Sequence, residues 1–157
     1  MFRDLQKKEK ALSKERSIEI LTSTKRGILS VIGDFGYPYG APMNHYYDKE
    51  SGKLYFHCGH GGHREDSLKK CNKASFAAYI ETKPEKGWAY DVESVIVFGD
   101  VEIIDDSALS EKIVRALCKK FTDDTAFVDG EVEKYLSETL LLVMTPLHIT
   151  GKKIKEQ

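Results

Sequence analysis

The sequence predicts an α+β fold, a six-stranded antiparallel β-barrel with flanking helices, and three observations carry that expectation. Short runs such as GILSVI, KLYFHC and ASFAAYI are rich in β-branched and aromatic residues and sit between turn-forming clusters. Helical patterns fall between these runs irregularly, without the βαβ alternation that a parallel sheet requires. The long segment DVESVIVFGDVEIID holds Gly99 in mid-strand, the kind of position at which barrels bend or bulge a strand.

Taken in order, Ser13 is placed to cap a first helix that ends near Lys25 and buries Ile18 and Leu21. GILSVI, from Gly27, is apolar on both faces and stops at Gly33 and Asp34, which predicts a fully buried strand entering a turn. In YPYGAPMNHYYD, Tyr39, Ala41, Met43, His45 and Tyr47 share one face, and Gly40, Pro42, Asn44 and Tyr46 share the other. Pro42 removes a ladder donor, so this strand belongs at an edge or is bulged. Asp48 to Gly52 is a turn before the strand KLYFHC, and HREDSLKKC is a short polar helix with Leu68 facing inward. ASFAAYI, a loop from Lys83 to Gly87, and the strand containing Gly99 follow. Asp106 or Ser107 caps a helix carrying Leu109, Ile113, Ala116 and Leu117 at helical spacing. A second helix is expected from about Gly130 to Ser137. ETLLLVMTPLHIT is the closing strand and GKKIKEQ a charged tail. With no repeat, low-complexity tract or linker, residues 1–157 are expected to form a single domain.

Composition narrows the function classes. The 157 residues are 41% hydrophobic and 31% charged, enough to bury a core. Twenty-four basic and twenty-five acidic side chains leave a net charge of -1, so no overall field favours nucleic acid or an anionic membrane. The opening FRDLQKKEK is mixed in charge rather than apolar, and no run approaches the roughly 18 residues of a membrane span. A cytoplasmic protein is expected. Cys58, Cys71 and Cys118 are odd in number and form no CxxC pair, which fits reduced thiols better than a disulfide framework.

The most informative stretch is LYFHCGHGGHREDSLKK, a strand end, a glycine-rich loop, a basic pair and a helix start in succession. Glycines let backbone approach an anion, first-turn amides point at it, and Arg64 adds a planar charge with His63 as a further donor. No GK[ST] follows, so this is no Walker loop, and an ordinary polar loop before a solvated helix remains open. His57, Cys58, His60 and His63 are also possible metal ligands, but neighbouring residues 57 and 58 of a strand point apart, and no metal is expected. The same geometry separates Cys58 from His57 as a thiol–imidazole pair. His45 and His148 are isolated and read as hydrogen-bonded strand histidines, and Trp88 and Tyr90 either pack or stack on a planar ligand.

Together, GILSVIGDFGYPYGAPMNHYY, KLYFHCGHGGHREDSLKK and ESVIVFGDVEIID, with a weaker echo in HITGKKI, resemble the pyridoxamine 5'-phosphate oxidase-like FMN-binding split barrels, nearest the 5-nitroimidazole resistance branch. The resemblance implies a split β-barrel and a homodimer with FMN at the subunit interface. It implies that Pro42, Met43, Asn44 and His45 run along the isoalloxazine edge, mainly through backbone. Phe56, His57 and Cys58 match the strand facing the ribityl chain and ring, and His63 and Arg64 the basic pair at the phosphate. Ser94 and Val95 match an SV dipeptide near the ring or ribityl chain, and Trp88 an aromatic group reaching in from the partner chain. A flavin-dependent reductase or oxidase of a small electron-poor substrate is the expected activity, with nitroaromatic reduction as one form and His57 as the proton donor. The chain departs from the vitamin-pathway oxidases in lacking their basic C-terminal segment, and from many nitroimidazole-branch members in having Cys58 and Gly59 after His57. A non-catalytic flavin store or sensor is the alternative, and related barrels that hold haem or deazaflavin supply a third reading.

Overall fold

The computed structural model describes residues 1–83 and 88–155, so the expected Lys83 to Gly87 loop lies, Lys83 apart, outside the described residues. Helix α1 (Lys14–Ser23) starts where Ser13 Oγ accepts the Arg16 N–H at 3.1 Å, and it buries Ile20 and Leu21. The strands are β1 (Arg26–Ile32), β2 (Pro38–Asn44), β3 (Tyr46–Tyr47), β4 (Leu54–Gly59), β5 (Lys73–Thr82), β6 (Asp91–Ile104) and β7 (Thr139–Lys155). They form one sheet in the order β2-β1-β5-β6-β7-β4-β3, antiparallel throughout. The count is seven against an expected six because His45 leaves the ladder and Tyr46–Tyr47 pairs separately with Tyr55 and Leu54. β2, with Pro42, is an edge strand as expected.

The sheet curls until β2 meets β4 without pairing to it, which leaves a seam in the barrel wall. Inside, Leu29, Phe56, Phe76, Val95, Leu142 and Met144 form the centre of the core. Gly99 bends β6: Phe98 pairs with His148 but Gly99 pairs with Pro146, so Leu147 is the extra residue of a bulge. A Cβ at Gly99 would run into the Thr145 carbonyl, which explains why this corner takes glycine.

Helix α2 (His63–Lys70) follows β4. Helix α3 (Ser107–Cys118) is capped by Asp106, whose carboxylate accepts the Leu109 N–H at 2.9 Å. Helix α4 (Thr125–Tyr135) begins five residues before the expected Gly130, because Asp124 accepts the Phe127 N–H at 3.0 Å and supplies the cap. Three further expectations are corrected. GILSVI is buried on one face only, and Ile28 and Ile32 join Tyr79, Ile96 and Phe98 on an exposed outer face. The charged tail is strand: β7 runs to Lys155, with Lys153 and Lys155 registered against Glu93 and Asp91 of β6. His148 has no hydrogen bond to its buried Nε2; its ring lies against Phe2 and near Phe98.

Candidate functional site

Strand β4 sorts its side chains to two sides. Phe56 and Cys58 face the barrel core, whereas Tyr55 packs with Ile113 and Leu117 of α3. His57 opens on the α3 side too, into a cleft of about 390 Å³ lined by Val114, Cys118, Glu131, Tyr135 and Leu136. Burial pushes the His57 pKa below its ordinary value, so the ring is neutral at pH 7.

After β4 the chain turns through Gly61 and Gly62 at φ of 77° and 90°, conformations that glycine adopts without strain. Gly62 stands at the N-cap of α2 with no side chain to offer. The first bond within the helix is Asp66 N–H to the Gly62 carbonyl, 3.2 Å, so the amides of the preceding first turn have no acceptor inside the helix. Arg64 reaches back to the Cys58 thiol, yet its Nε is buried with no hydrogen-bond partner. Burial raises the Cys58 pKa more than Arg64 lowers it, so this sulfur is a protonated thiol rather than a nucleophile at neutral pH.

Two carboxylates that the sequence does not mark complete the cluster. Glu65 accepts the Gly61 N–H at 2.6 Å and pairs with Lys69 at 2.6 Å; these contacts, Lys69 foremost, hold its pKa down. Asp34, in the turn between β1 and β2, donates its backbone N–H to His63 Nε2 at 3.2 Å. Its carboxylate lies 3.6 Å from both His63 Nε2 and Lys70 Nζ. Tyr39 of β2 packs against the His63 ring at 4.3 Å, tilted by 38°, so α2 and β2 meet across the seam. In sequence Glu65 shows only as an acid in a helix first turn and Asp34 only as a turn residue; their pairing with the basic loop is tertiary.

The seam brings some expected site residues together. β2 pairs with β1 alone, and Phe56 to Gly59 of β4 pair with β7 alone, so the free edges of Pro42, Met43 and Asn44 and of Phe56, His57 and Cys58 flank the seam; Tyr39 at the start of β2 meets His63, and Pro42 to Asn44 lie three to five residues further along, about 10–17 Å. Met43 and Phe56 have buried side chains and can present only backbone. Other residues are set apart. His45 is 0% exposed, its Nε2 is 2.8 Å from the Leu21 carbonyl and its own carbonyl accepts Lys120 Nζ at 2.9 Å. The expected hydrogen bond is there, but His45 sits in the break between β2 and β3 rather than in a strand. Val95 is wholly inside the core, and Ser94 is paired with Tyr79 and Lys152. Since Ala74 pairs with Val31 beside the turn, Ser94 lies five residues further along the sheet, about 17 Å, level with Asn44 but three strands away across the sheet. Trp88 is 72% exposed. Among the described residues no three histidine, cysteine or acidic groups converge as a metal site.

The curled, seamed antiparallel sheet is of the split-barrel class. The family profile described as pyridoxamine 5'-phosphate oxidase matches residues 13–153, and the chain belongs to that family. Solved structures agree on the fold. A provisionally assigned 5-nitroimidazole antibiotic resistance protein from Bacteroides thetaiotaomicron superimposes with a TM-score of 0.75 at 19% identity, covering 93% of this chain and 87% of its own. An FAD-binding protein from Mesorhizobium loti gives 0.70 at 18% identity, covering 92% and 96%. An FAD and haem binding protein from Mycobacterium smegmatis gives 0.70 at 21% identity, covering 89% and 70%. No curated protein sequence matches the chain at a significant level. No helix among the described residues is long and apolar enough to cross a membrane.

Proposed function

We propose that this protein binds FMN in the seam between β2 and β4 and works as a flavin-dependent reductase or oxidase of a small electron-poor substrate, nitroaromatics included. The observation that carries the reading is the buried Arg64 Nε with no partner, set beside uncapped helix amides and two unpaired strand edges. A buried guanidinium nitrogen without an acceptor is costly, and a phosphate oxygen is the acceptor its geometry suits best. Arg64, His63 and the first-turn amides of α2 would hold the phosphate. The free backbone of Pro42, Met43 and Asn44 would meet the ring, and that of Phe56, His57 and Cys58 the ribityl chain. Bound flavin supplies the electron chemistry, and the chain supplies orientation and proton control. A flavin absorption spectrum of the purified protein, with FMN titration, tests the reading; a Soret band instead would point to haem, and tighter binding of FAD than of FMN would move the site's fit to the larger flavin.

Trp88 would complete such a site from a second copy. The outer face carrying Ile28, Ile32, Tyr79, Ile96 and Phe98 is apolar and exposed, as a subunit interface would be in a lone chain. Light scattering is expected to give twice the chain mass, and Phe98→Glu to return it to one chain. A wild-type monomer that still bound FMN tightly would sink the shared-site arrangement.

His57 is the proposed proton donor. The neutral ring imposed by burial predicts turnover that rises as pH falls toward its lowered pKa. His57→Ala is expected to keep FMN and lose about tenfold or more in turnover with a nicotinamide donor and a nitroaromatic acceptor. Full turnover in the variant would remove His57 from the mechanism. Because His57 faces α3 while Cys58 and Arg64 face the other side of β4, a non-catalytic flavin store is the second reading. Bound FMN without accelerated electron transfer to any acceptor would favour it.

A further inference from the structure

We infer that Asp34 is a built-in competitor for the anion site at the start of α2, a residue that sets how tightly, and with what charge, a phosphate group is accepted there. This role rests on the phosphate reading above and adds a residue outside the basic loop. Asp34 engages the cluster twice. Its backbone N–H donates to His63 Nε2 at 3.2 Å. Its carboxylate oxygens lie 3.6 Å from His63 Nε2 and 3.6 Å from Lys70 Nζ. Asp34 therefore engages two of the basic side chains beside Arg64, His63 through its backbone N–H and Lys70 through its carboxylate. Arg64 alone keeps a buried donor without an acceptor.

The turn that carries Asp34 holds this position against some strain. Phe35 has a φ of 57°, rare for a residue with a large side chain, and its ring is 99% exposed, so nothing packs it there. The conformation is held by the Gly33 N–H to Tyr37 carbonyl bond at 2.7 Å and by the His63 contact. Space around the contact is tight as well, since a Cβ at Gly33 would stand 3.0 Å from His63 Nε2. An arriving phosphate competes with the Asp34 carboxylate for Lys70 and is repelled by that carboxylate. A dianionic phosphate must displace Asp34; a neutral ligand need not.

Asp34→Asn is the discriminating variant, because it keeps the backbone N–H and the turn while removing the charge, at a side chain that is 61% exposed. The first probe is inorganic phosphate, followed by NMR through the backbone amide at position 34 and the His63 ring nitrogens. Phosphate is expected to shift both signals in the wild type and to bind about three- to tenfold more tightly to the variant at low ionic strength, the advantage shrinking in high salt. The second probe compares FMN with riboflavin, where the variant should gain for FMN only. If phosphate leaves both signals in place, or binds the two proteins equally, the inference falls. If FMN binds both proteins equally while phosphate behaves likewise, Asp34 is no competitor although the flavin reading stands. If phosphate binds more tightly to the variant but neither protein takes FMN, Asp34 keeps its role at an anion site and the flavin reading fails.

Discussion

Arg64→Ala is expected to weaken FMN binding by about 1.5–3 kcal/mol, roughly ten- to hundredfold, and to leave riboflavin binding unchanged. The magnitude follows from a charge-assisted contact made in a partly buried place. The selectivity follows from the phosphate being the only group that distinguishes the two ligands. Truncating Arg64 removes a buried nitrogen that has no partner together with the contact to the Cys58 thiol, and riboflavin binding is the control that separates the loss at the phosphate from a loss of the fold. Arg64→Lys should recover part of the affinity, since it restores charge without the planar fork. Equal losses for FMN and riboflavin would make Arg64 a structural support of Cys58 and the loop, and no loss would place the phosphate elsewhere.

What was legible in the sequence follows the range of the interactions involved. Ser13 and Asp106 cap their helices through contacts three residues apart, and Gly99 bulges β6 where a mid-strand glycine suggests it. Those signals are local. The start of α4 was equally local but outweighed: Gly130 looks like a helix boundary, whereas Asp124 and Thr125 are the better cap and Gly130 is carried inside the helix. The tail resisted a local reading for a different reason. Lys153 and Lys155 look like a solvated run until the register sets them against Glu93 and Asp91, a charge match that exists only across strands. GILSVI was legible as apolar but not as one-sided, because hydropathy does not say whether the second face meets the same chain's core or another surface. In the site, alternation along β4 correctly separates His57 from Cys58, and the glycine loop announces the helix start. The acids that balance it, Asp34 and Glu65, are invisible without the turn between β1 and β2 and the fold of the loop.

Acidification from pH 7 to pH 4 is expected to cost the fold about 3 kcal/mol through His45 alone. The Leu21 carbonyl can only accept, so His45 Nε2 carries the proton of a neutral ring, 2.8 Å away. Its Nδ1 is buried with no partner, its ring leans on Phe76 at 4.7 Å, and Lys120 Nζ donates to the His45 and Thr24 carbonyls nearby. A second proton would put an unpaired charge in apolar surroundings beside a cation. Burial first, and Lys120 second, accordingly push its pKa from 6.5 down to about 4. The unfolded chain takes up that proton near pH 6.5 and the folded chain refuses it until about 4, so stability drains away across that window and levels off below it. Glu65 and Asp48, whose folded pKa values are lowered, add losses only further down, as pH falls below the ordinary carboxylate range. Lys120 acts at the other end: burial lowers its pKa from 10.5 to about 8, so stability rises as pH climbs through that interval. His45→Gln isolates the first effect, because a glutamine can keep a donor at the Leu21 carbonyl without titrating. Urea unfolding followed by circular dichroism is the measurement of choice, since Trp88, the one tryptophan, is 72% exposed and reports poorly on the core. The wild type should lose stability between pH 6.5 and 4 while the variant holds nearly level, and parallel profiles would mean that His45 accepts its proton in the folded protein, contrary to the buried, unpartnered Nδ1.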